Sequence, residues 1–452
     1  MTTKKINMKD GPIHRLLLKF AAPAVTAMLG TGLYTTFSAM IISRGINTEA
    51  MGAAGIVFSI QLLYHGFAQL VSIGAASALS RTLGKNDEED ASRIALAAYV
   101  LTLVLSAVLI LLTGLFTQPL LSFFGATDEL MADARQLLTI LKWTLPFNGI
   151  VLLSSALFRA EGDLKASMTV ILLDCGLNLA LDYVFIIHFD WGLAGAGYST
   201  ILSQSLTSFF AFSRILRKKS VIRFRKEDLI PRLHTFYRIF SVGISALARN
   251  GATTALALVV NQTLRGLEGT DALIAFGTAH RLTYFFTLPV MGFNQAVQPL
   301  ASYNYGAGQP QRVRKVLSLG IFYTTAAGLI ATTAGLLFPR HLIQLFTRDK
   351  DILEMAAAIL RFQLLFFWTF GIQTLAATYY QAIGRAIPAL ALSIFKQLFL
   401  IIPLIWLLPN LFKDSLTGIW AAYPISEALA FLVTGLFLIR ALQTLKTAPA
   451  GT

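Results

Sequence analysis

Three oxygen-bearing side chains recur at every fourth position in one apolar stretch of the sequence. Asp174, Asn178 and Asp182 stand at i, i+4 and i+8, a spacing that places them along one face of an α-helix. Carboxylate and amide oxygens are ligands for hard cations such as Na⁺, and a carboxylic acid kept out of water can exchange a proton near neutral pH. Thr200, in the next apolar stretch, can add a hydroxyl oxygen. The pattern predicts an H⁺ or Na⁺ site at Asp182, Asn178 and Thr200, with Asp174 as a further carboxylate.

The surroundings of these residues are largely lipid. Of the 452 residues, 55% are hydrophobic and only 13% are charged, which does not fit a water-facing surface. Apolar stretches of about 20 or more residues recur along the chain, and each can cross a hydrocarbon core of about 30 Å as a helix. The net charge of +14 lies mostly in short connections between these stretches, so we expect a lipid bilayer and no nucleic acid as partner.

The apolar stretches predict an all-α membrane protein with twelve transmembrane helices. They fall near residues 16–42, 51–79, 92–117, 131–158, 166–188, 193–216, 236–264, 272–300, 313–338, 352–382, 386–411 and 416–440. Lys and Arg are concentrated in alternate connections, for example at residues 217–232, whereas residues 118–130 hold none. By the positive-inside rule, both termini lie in the cytoplasm and the protein resides in the cell (inner or plasma) membrane.

A location in the lipid bilayer limits the roles that polar and charged side chains can have. A charged side chain at the bilayer centre costs about 2.5–3.5 kcal/mol on insertion scales, so it needs a partner, a water-filled cavity or a function. The structural alternative is that Asp182 and Asn178 tie neighbouring helices together, while Asp174 pairs with a basic residue.

The chain also contains an internal duplication. One constant shift of the sequence against itself aligns Gly84 with Gly306 and Gly162 with Gly384, and the register holds through loops as well as apolar stretches. Because each copy has an even number of spans, six, both copies enter the membrane from the same side. They form a parallel repeat, in which a two-fold axis along the membrane normal relates one copy to the other. We predict an N-lobe at 1–215 (spans one to six), a basic cytoplasmic linker at 216–235 and a C-lobe at 236–452 (spans seven to twelve), with a substrate cavity between the two bundles.

Several residues outside the acidic helix face are further candidates for a role in the site, the cavity or the helix geometry. Aromatic rings near the expected cavity can contact planar cations, and Pro23 removes a backbone hydrogen bond from the first span. In the C-lobe, Glu427 is the carboxylate placed well inside the apolar stretches; a buried pair with Lys396 or Arg281 is one reading, and a role in ion coupling is the other. The cavity aromatics are Tyr34, Phe37, Phe147, Phe158 and Tyr284.

Enzyme signatures are missing from the sequence. It has no Gly-rich phosphate loop with Lys-Ser/Thr, no His-Glu-x-x-His and no cysteine cluster, since Cys175 is the single cysteine. We therefore expect no enzyme activity and no cofactor, and an ion gradient as the energy source.

Four sequence segments resemble the multidrug and toxic compound extrusion (MATE) family. They are Ser80-Arg81-x-x-Gly84, Arg159-Ala160-Glu161-Gly162-Asp163, Leu177-Asn178-x-x-Leu181-Asp182, and the stretch from Gln298-Pro299-Leu300 to Gly306-Ala307. The resemblance spans all twelve predicted helices. It implies export of amphipathic organic cations in exchange for H⁺ or Na⁺, through two six-helix lobes that open alternately to the two sides.

Within that family the chain is most similar to the prokaryotic branch with an acidic site in the N-lobe. The resemblance assigns the carboxylate of that site to Asp182, the amide to Asn178, the hydroxyl to Thr200 and the helix-bending proline to Pro23. The branch usually carries an Asp in the first span where this chain has Ser38. One carboxylate fewer leaves Asp182 as the principal ion carrier, with Ser38 facing the cavity.

A second function is compatible with the same architecture. A flippase for a lipid-linked precursor would use basic residues such as Arg249, Arg281 and Lys396 to attract a pyrophosphate. In either case we expect a monomer.

Overall fold

The computed structural model is helical throughout the part of the chain that it describes. That part comprises residues 8–45, 48–216, 222, 232–267, 270–347, 349–412 and 415–447, and it contains no β-strand. The first half forms helices α1 Ile13–Gly45, α2 Thr48–Gly84, α3 Glu88–Leu115, α4 Thr117–Phe123, α5 Asp128–Leu141, α6 Leu145–Ala160, α7 Leu164–Asp182 and α8 Gly192–Leu216. The second half forms α9 Leu233–Leu267, α10 Thr270–Gly306, α11 Pro310–Leu337, α12 Pro339–Ile343, α13 Lys350–Leu364, α14 Phe370–Ala382, α15 Ala386–Ile394, α16 Ile402–Leu407 and α17 Ser415–Thr447.

The helices identify a multi-pass membrane protein. Within the described residues, nine helical segments are long and apolar enough to cross a bilayer, and α13 with α14, which meet at a 41° bend, form a tenth. Helices α8 and α10 have 25 and 37 residues, which also suffices for a crossing, but polar side chains interrupt their apolar surface.

Some predicted spans are not regular helices. The span predicted at 131–158 is interrupted by one 3-10 turn, Lys142–Thr144, just before Pro146 at the start of α6. Proline donates no backbone hydrogen bond, so it is tolerated best at a helix start. Two further segments, Tyr183–His188 after α7 and Phe395–Ile401 after α15, are π-helical. Such turns occur often at functional sites.

The described chain divides into two compact units. The first contains residues 1–10 and 26–250, and the second contains residues 11–25 and 251–452. These units differ from the predicted lobes in two places, because residues 11–25 of α1 belong to the second unit and residues 236–250 of α9 belong to the first. Most of the predicted linker at 216–235 lies outside the described residues.

Close backbone contact holds the start of α9 within the first unit. A Cβ atom added to Gly74 of α2 would lie 2.0 Å from the carbonyl oxygen of Ile239, and one added to Gly243 of α9 would lie 2.0 Å from that of Leu70. Only glycine permits this separation, because any side chain would push the helices apart.

An ion pair reinforces this contact. Arg238 Nη1 donates to Asp90 Oδ2 at 2.8 Å, and its Nη2 donates to Thr82 Oγ1 at 3.0 Å. In the second unit, Arg312 donates to Asn304 Oδ1 at 2.8 Å and to the carbonyl oxygen of Gly11, just before α1, at 3.1 Å.

These two sets of contacts involve corresponding positions of the internal repeat. The shift that aligns Gly84 with Gly306 also aligns Thr82 with Asn304 and Asp90 with Arg312. The second of these positions therefore contacts the beginning of α9 in one unit, through Asp90, and the residue just before α1 in the other, through Arg312, with its charge reversed.

Gly74→Ala is expected to destabilise the protein, because the added methyl group has no room beside the Ile239 carbonyl oxygen. Overpacking of this kind costs about 1–3 kcal/mol. The measurement is the apparent Tm of the detergent-solubilised protein, with Gly55→Ala on the same helix as control, since a Cβ at Gly55 meets nothing within 4 Å. Equal melting temperatures for the two variants would contradict the assigned contact.

Candidate ion-binding site

Asp182, the last residue of α7, is buried against α1 and α8. Its side chain is 1% exposed. Ser38 Oγ of α1 donates to Asp182 Oδ2 at 2.6 Å, and Ser199 Oγ of α8 donates to Asp182 Oδ1. Each carboxylate oxygen thus receives a hydroxyl hydrogen bond from a different helix.

Asn178, one turn earlier on α7, repeats this arrangement. The hydroxyl of Tyr34 donates to Asn178 Oδ1 at 3.1 Å, and Asn178 Nδ2 donates to Ser203 Oγ at 3.0 Å. A step of four residues along each helix connects the first set of contacts with the second. Helices α1, α7 and α8 therefore share one register on their polar faces.

The charge of Asp182 has no basic counterpart in the described part of the chain. None of the ion pairs found there includes Asp182. Two hydroxyl hydrogen bonds stabilise a carboxylate but do not neutralise it. The described residues also contain no group of three His, Cys, Asp or Glu side chains suited to a metal ion. The described residues therefore leave the negative charge of an ionised Asp182 without a neutralising partner.

The hydroxyl of α8 that contacts Asp182 in the structure is that of Ser199, next to the predicted Thr200. The Thr200 hydroxyl donates to the carbonyl oxygen of Ala196 in its own helix at 2.9 Å. Consecutive residues of a helix point about 100° apart, so only one of them faces α7. The i, i+4 spacing of Ser199 and Ser203, which matches the spacing of Asp182 and Asn178, is the sequence signal that predicts this pairing.

The predicted cavity aromatics occupy different environments. Phe37 and Tyr284 are exposed by 48% and 47% of their surface, while Tyr34 and Phe147 are partly buried. Phe158 is 3% exposed and packs in the apolar core of the first unit. The expectation that Phe158 lines a cavity is therefore wrong, because its ring is enclosed by other apolar side chains. Helix α1 continues through Pro23.

The C-lobe carboxylate forms a closed polar cluster in the second unit. Lys396 Nζ donates to Glu427 Oε1 at 2.7 Å, and Gln373 Nε2 donates to Glu427 Oε2 at 2.6 Å. The hydroxyl of Thr369 adds a contact of 3.3 Å to the same oxygen. Of the two partners considered for Glu427, the structure selects Lys396, whereas Arg281 is exposed. In contrast to Asp182, this carboxylate is neutralised within the chain.

Comparison with known families identifies the chain. The sequence profile of the MatE family matches residues 23–184 and, a second time, residues 246–407. The two matches together cover more than half of the sequence. The chain belongs to the MatE family. The offset between the two matched segments is nearly the same as the shift that aligns Gly84 with Gly306, which confirms the predicted internal duplication.

Relatives of this MatE protein align over nearly its full length. It is 26% identical to the multidrug export protein MepA of Staphylococcus aureus (strain MSSA476) over 445 residues, which cover 97% of each chain. It is also 26% identical to MepA of Staphylococcus haemolyticus (strain JCSC1435) over 436 residues, or 96% of this chain and 95% of the relative.

Solved structures share the fold of this MatE protein. One, described as the outward-facing conformation of a multidrug resistance MATE family transporter, superposes with a TM-score of 0.93 at 22% identity and 99% coverage of both chains. Another, a transporter of the MOP superfamily from Pyrococcus furiosus described as having reversed polarity in its binding pocket, gives a TM-score of 0.92 at 22% identity, with 99% of this chain and 100% of the other covered.

Lys396→Met is expected to destabilise this MatE protein, because it leaves the buried Glu427 without its counter-charge. Breaking a buried ion pair from one side costs about 3–5 kcal/mol. The measurement is the apparent Tm in detergent for Lys396→Met, Glu427→Gln and the double variant. The double variant is expected to recover much of the loss; a loss equal to the sum of the single losses would contradict the pairing.

Proposed function

We propose that this protein is a secondary active transporter that exports amphipathic organic cations in exchange for H⁺ or Na⁺. The observation that carries the proposal is the buried Asp182 carboxylate, which has two hydroxyl donors and no ion pair among the described residues. Membership of the MatE family and full-length similarity to relatives named multidrug export proteins support the same function.

The chemistry of coupling follows from the cost of burying a charge. An ionised carboxylate without a counter-charge is expensive inside a membrane protein, so Asp182 favours a bound proton or a bound Na⁺. If the site opens to each side of the membrane in turn, the carboxylate takes its ion where the ion is concentrated and releases it on the other side. The energy of the ion gradient is thereby made available for export of the organic cation.

The atoms around Asp182 are compatible with either ion. The hydroxyl oxygens of Ser38, Ser199 and Tyr34 and the amide oxygen of Asn178 are hard ligands of the kind that bind Na⁺. A proton requires only the carboxylate. With Ser38 in the position of a second carboxylate, the site holds one negative charge and accepts one monovalent ion per cycle.

The proposed architecture has twelve spans in two lobes. The nine apolar segments, the bent pair α13–α14, and helices α8 and α10 together account for twelve crossings. The basic connections on alternate sides put both termini in the cytoplasm, with the chain in the inner or plasma membrane as a monomer. In this arrangement the exposed rings of Phe37 and Tyr284 are available to contact a planar cation.

The basic residues disfavour the flippase alternative. Arg249 donates to Gln69 Oε1 at 3.2 Å, and Lys396 is engaged by Glu427. Of the three cations proposed to attract a pyrophosphate, only Arg281 is exposed. We accordingly propose neither lipid-linked substrates nor an enzyme activity.

Asp182→Asn is expected to reduce gradient-driven transport of a fluorescent organic cation in proteoliposomes to the rate of empty liposomes. The amide keeps the size and the hydrogen-bonding capacity of the side chain but cannot carry the charge or the proton. A pH gradient and a Na⁺ gradient imposed separately determine which ion drives the wild type.

The control is Asp128→Asn, an exposed aspartate at the start of α5, which is expected to transport as the wild type does. Wild-type rates for Asp182→Asn at equal amounts of folded protein would overturn the proposed function.

A further inference from the structure

The polar register of α1, α7 and α8 extends one step beyond Asp182 and Asn178. Another step of four residues, towards lower numbers on α1 and α7 and higher numbers on α8, leads to Gly30, Asp174 and Thr207. The structure shows that α1 still follows α7 at this level, because Cys175 Sγ contacts Thr31 Oγ1 at 3.9 Å. The separation of 144 residues in this contact is the same as in the two sets nearer Asp182.

At this third level the expected hydrogen bonds are not formed. Asp174 Oδ1 and Thr207 Oγ1 are both buried and have no hydrogen-bond partner among the described residues. Gly30 provides no side chain that could donate to Asp174. A buried polar atom without a partner is destabilising, and such atoms in a native structure call for an explanation, including a bound ion or water.

Thr207 differs from the other serine and threonine residues of α8. It is 0% exposed, and its hydroxyl does not use a carbonyl of its own helix. The remaining six all have partners: Ser199 donates to Asp182, and five others donate to backbone carbonyls of α8, namely Thr200, Ser203, Ser205, Ser208 and Ser213. A hydroxyl that forgoes this local bond is available to a ligand.

A third oxygen on α8, between the levels of Ser203 and Thr207, has the same property. Gln204, one turn before Thr207 on α8, is buried, and its Oε1 has no partner in the described part of the chain. Carboxylate, hydroxyl and amide oxygens are the ligand set of a small hard cation. The helix register, and not a contact between them, assigns these three oxygens to one polar face, because Asp174 continues the series of Asp182 and Asn178 on α7 and Thr207 continues that of Ser199 and Ser203 on α8.

Asp174 also lies at a different depth in the membrane from Asp182. Asp174 precedes Asp182 by eight residues, which corresponds to about 12 Å along a helix. It is the eleventh residue of the 25-residue span Leu164–His188, close to the bilayer centre, where an ionised carboxylate costs most.

We propose that Asp174, Thr207 and Gln204 form a second site for a monovalent cation, H⁺ or Na⁺, near the bilayer centre and in line with Asp182. The inference rests on the proposed ion antiport, which it extends from one ion carrier to two. In the proton form, the Asp174 carboxyl group carries the proton and is neutral. On release, the proton leaves as the coupling ion and Asp174 becomes a carboxylate, so that no redox chemistry is involved.

Difference infrared spectroscopy of the protein in liposomes tests this site without any substrate. A protonated carboxyl group gives its own C=O stretching band, and pH titration shows which groups change. Among the titrating carboxyl bands of the wild type, we expect Asp174→Asn to remove one and Asp182→Asn to remove another. A wild-type spectrum for Asp174→Asn would overturn the second site.

Thr207→Val keeps both the Asp174 carboxyl and the volume of residue 207, so it tests the site even if Asp174→Asn does not fold. It is expected to shift the Asp174 band and leave the Asp182 band in place. The matched control is Ser208→Ala, whose hydroxyl donates to the carbonyl of Ser205 and whose loss is expected to move neither band. An Asp174 band that is the same in Thr207→Val and the wild type would overturn the site.

A second arm distinguishes the two ions. At a fixed pH where Asp174 is protonated, added Na⁺ that binds at this site displaces the proton and removes the band, whereas a site for H⁺ alone keeps it. The two proposals also fail separately. Transport by Asp182→Asn overturns the proposed function, while loss of transport together with an unchanged Asp174→Asn spectrum overturns only the second site.

Discussion

A carboxylate buried without a basic partner constrains the first unit of this protein. Asp182 retains its place because α1 and α8 each direct a hydroxyl at one of its oxygens, and those hydroxyls arrive only if both helices hold a fixed register against α7. The Asn178 contacts, one turn away, enforce the same register. Packing and function are therefore coupled, since any slip of α1 or α8 would leave the charge without donors.

The second unit stabilises its buried carboxylate in a different way. There the buried carboxylate of Glu427 is neutralised by Lys396 and receives further hydrogen bonds from Gln373 and Thr369. In the internal repeat, Lys396 corresponds to Asp174, so the two copies carry opposite charges at one equivalent position. An internal salt bridge neutralises the buried carboxylate of one unit, and the other unit keeps a carboxylate without a basic partner among the described residues.

The spacing of residues in the sequence predicted structural features wherever that spacing reflects the period of a helix or of the internal repeat. The positions of Asp174, Asn178 and Asp182 predicted the polar face of α7, and the repeat predicted the second family match at 246–407. The choice of Ser199 over Thr200 was not predicted, because adjacent hydroxyls differ only in the rotation of α8 about its axis. The burial of Phe158 and the π-helical segments after α7 and α15 depend on packing between helices, which apolar composition alone does not encode.

The unit boundaries have an implication for how a duplicated membrane protein is built. Residues 11–25 of the first repeat pack in the unit formed mainly by the second, and residues 236–250 of the second repeat pack in the unit formed mainly by the first. A single-repeat ancestor with these contacts would have been a dimer whose subunits exchanged their leading helix ends. In the present chain, each unit is therefore completed by the leading helix end of the other repeat.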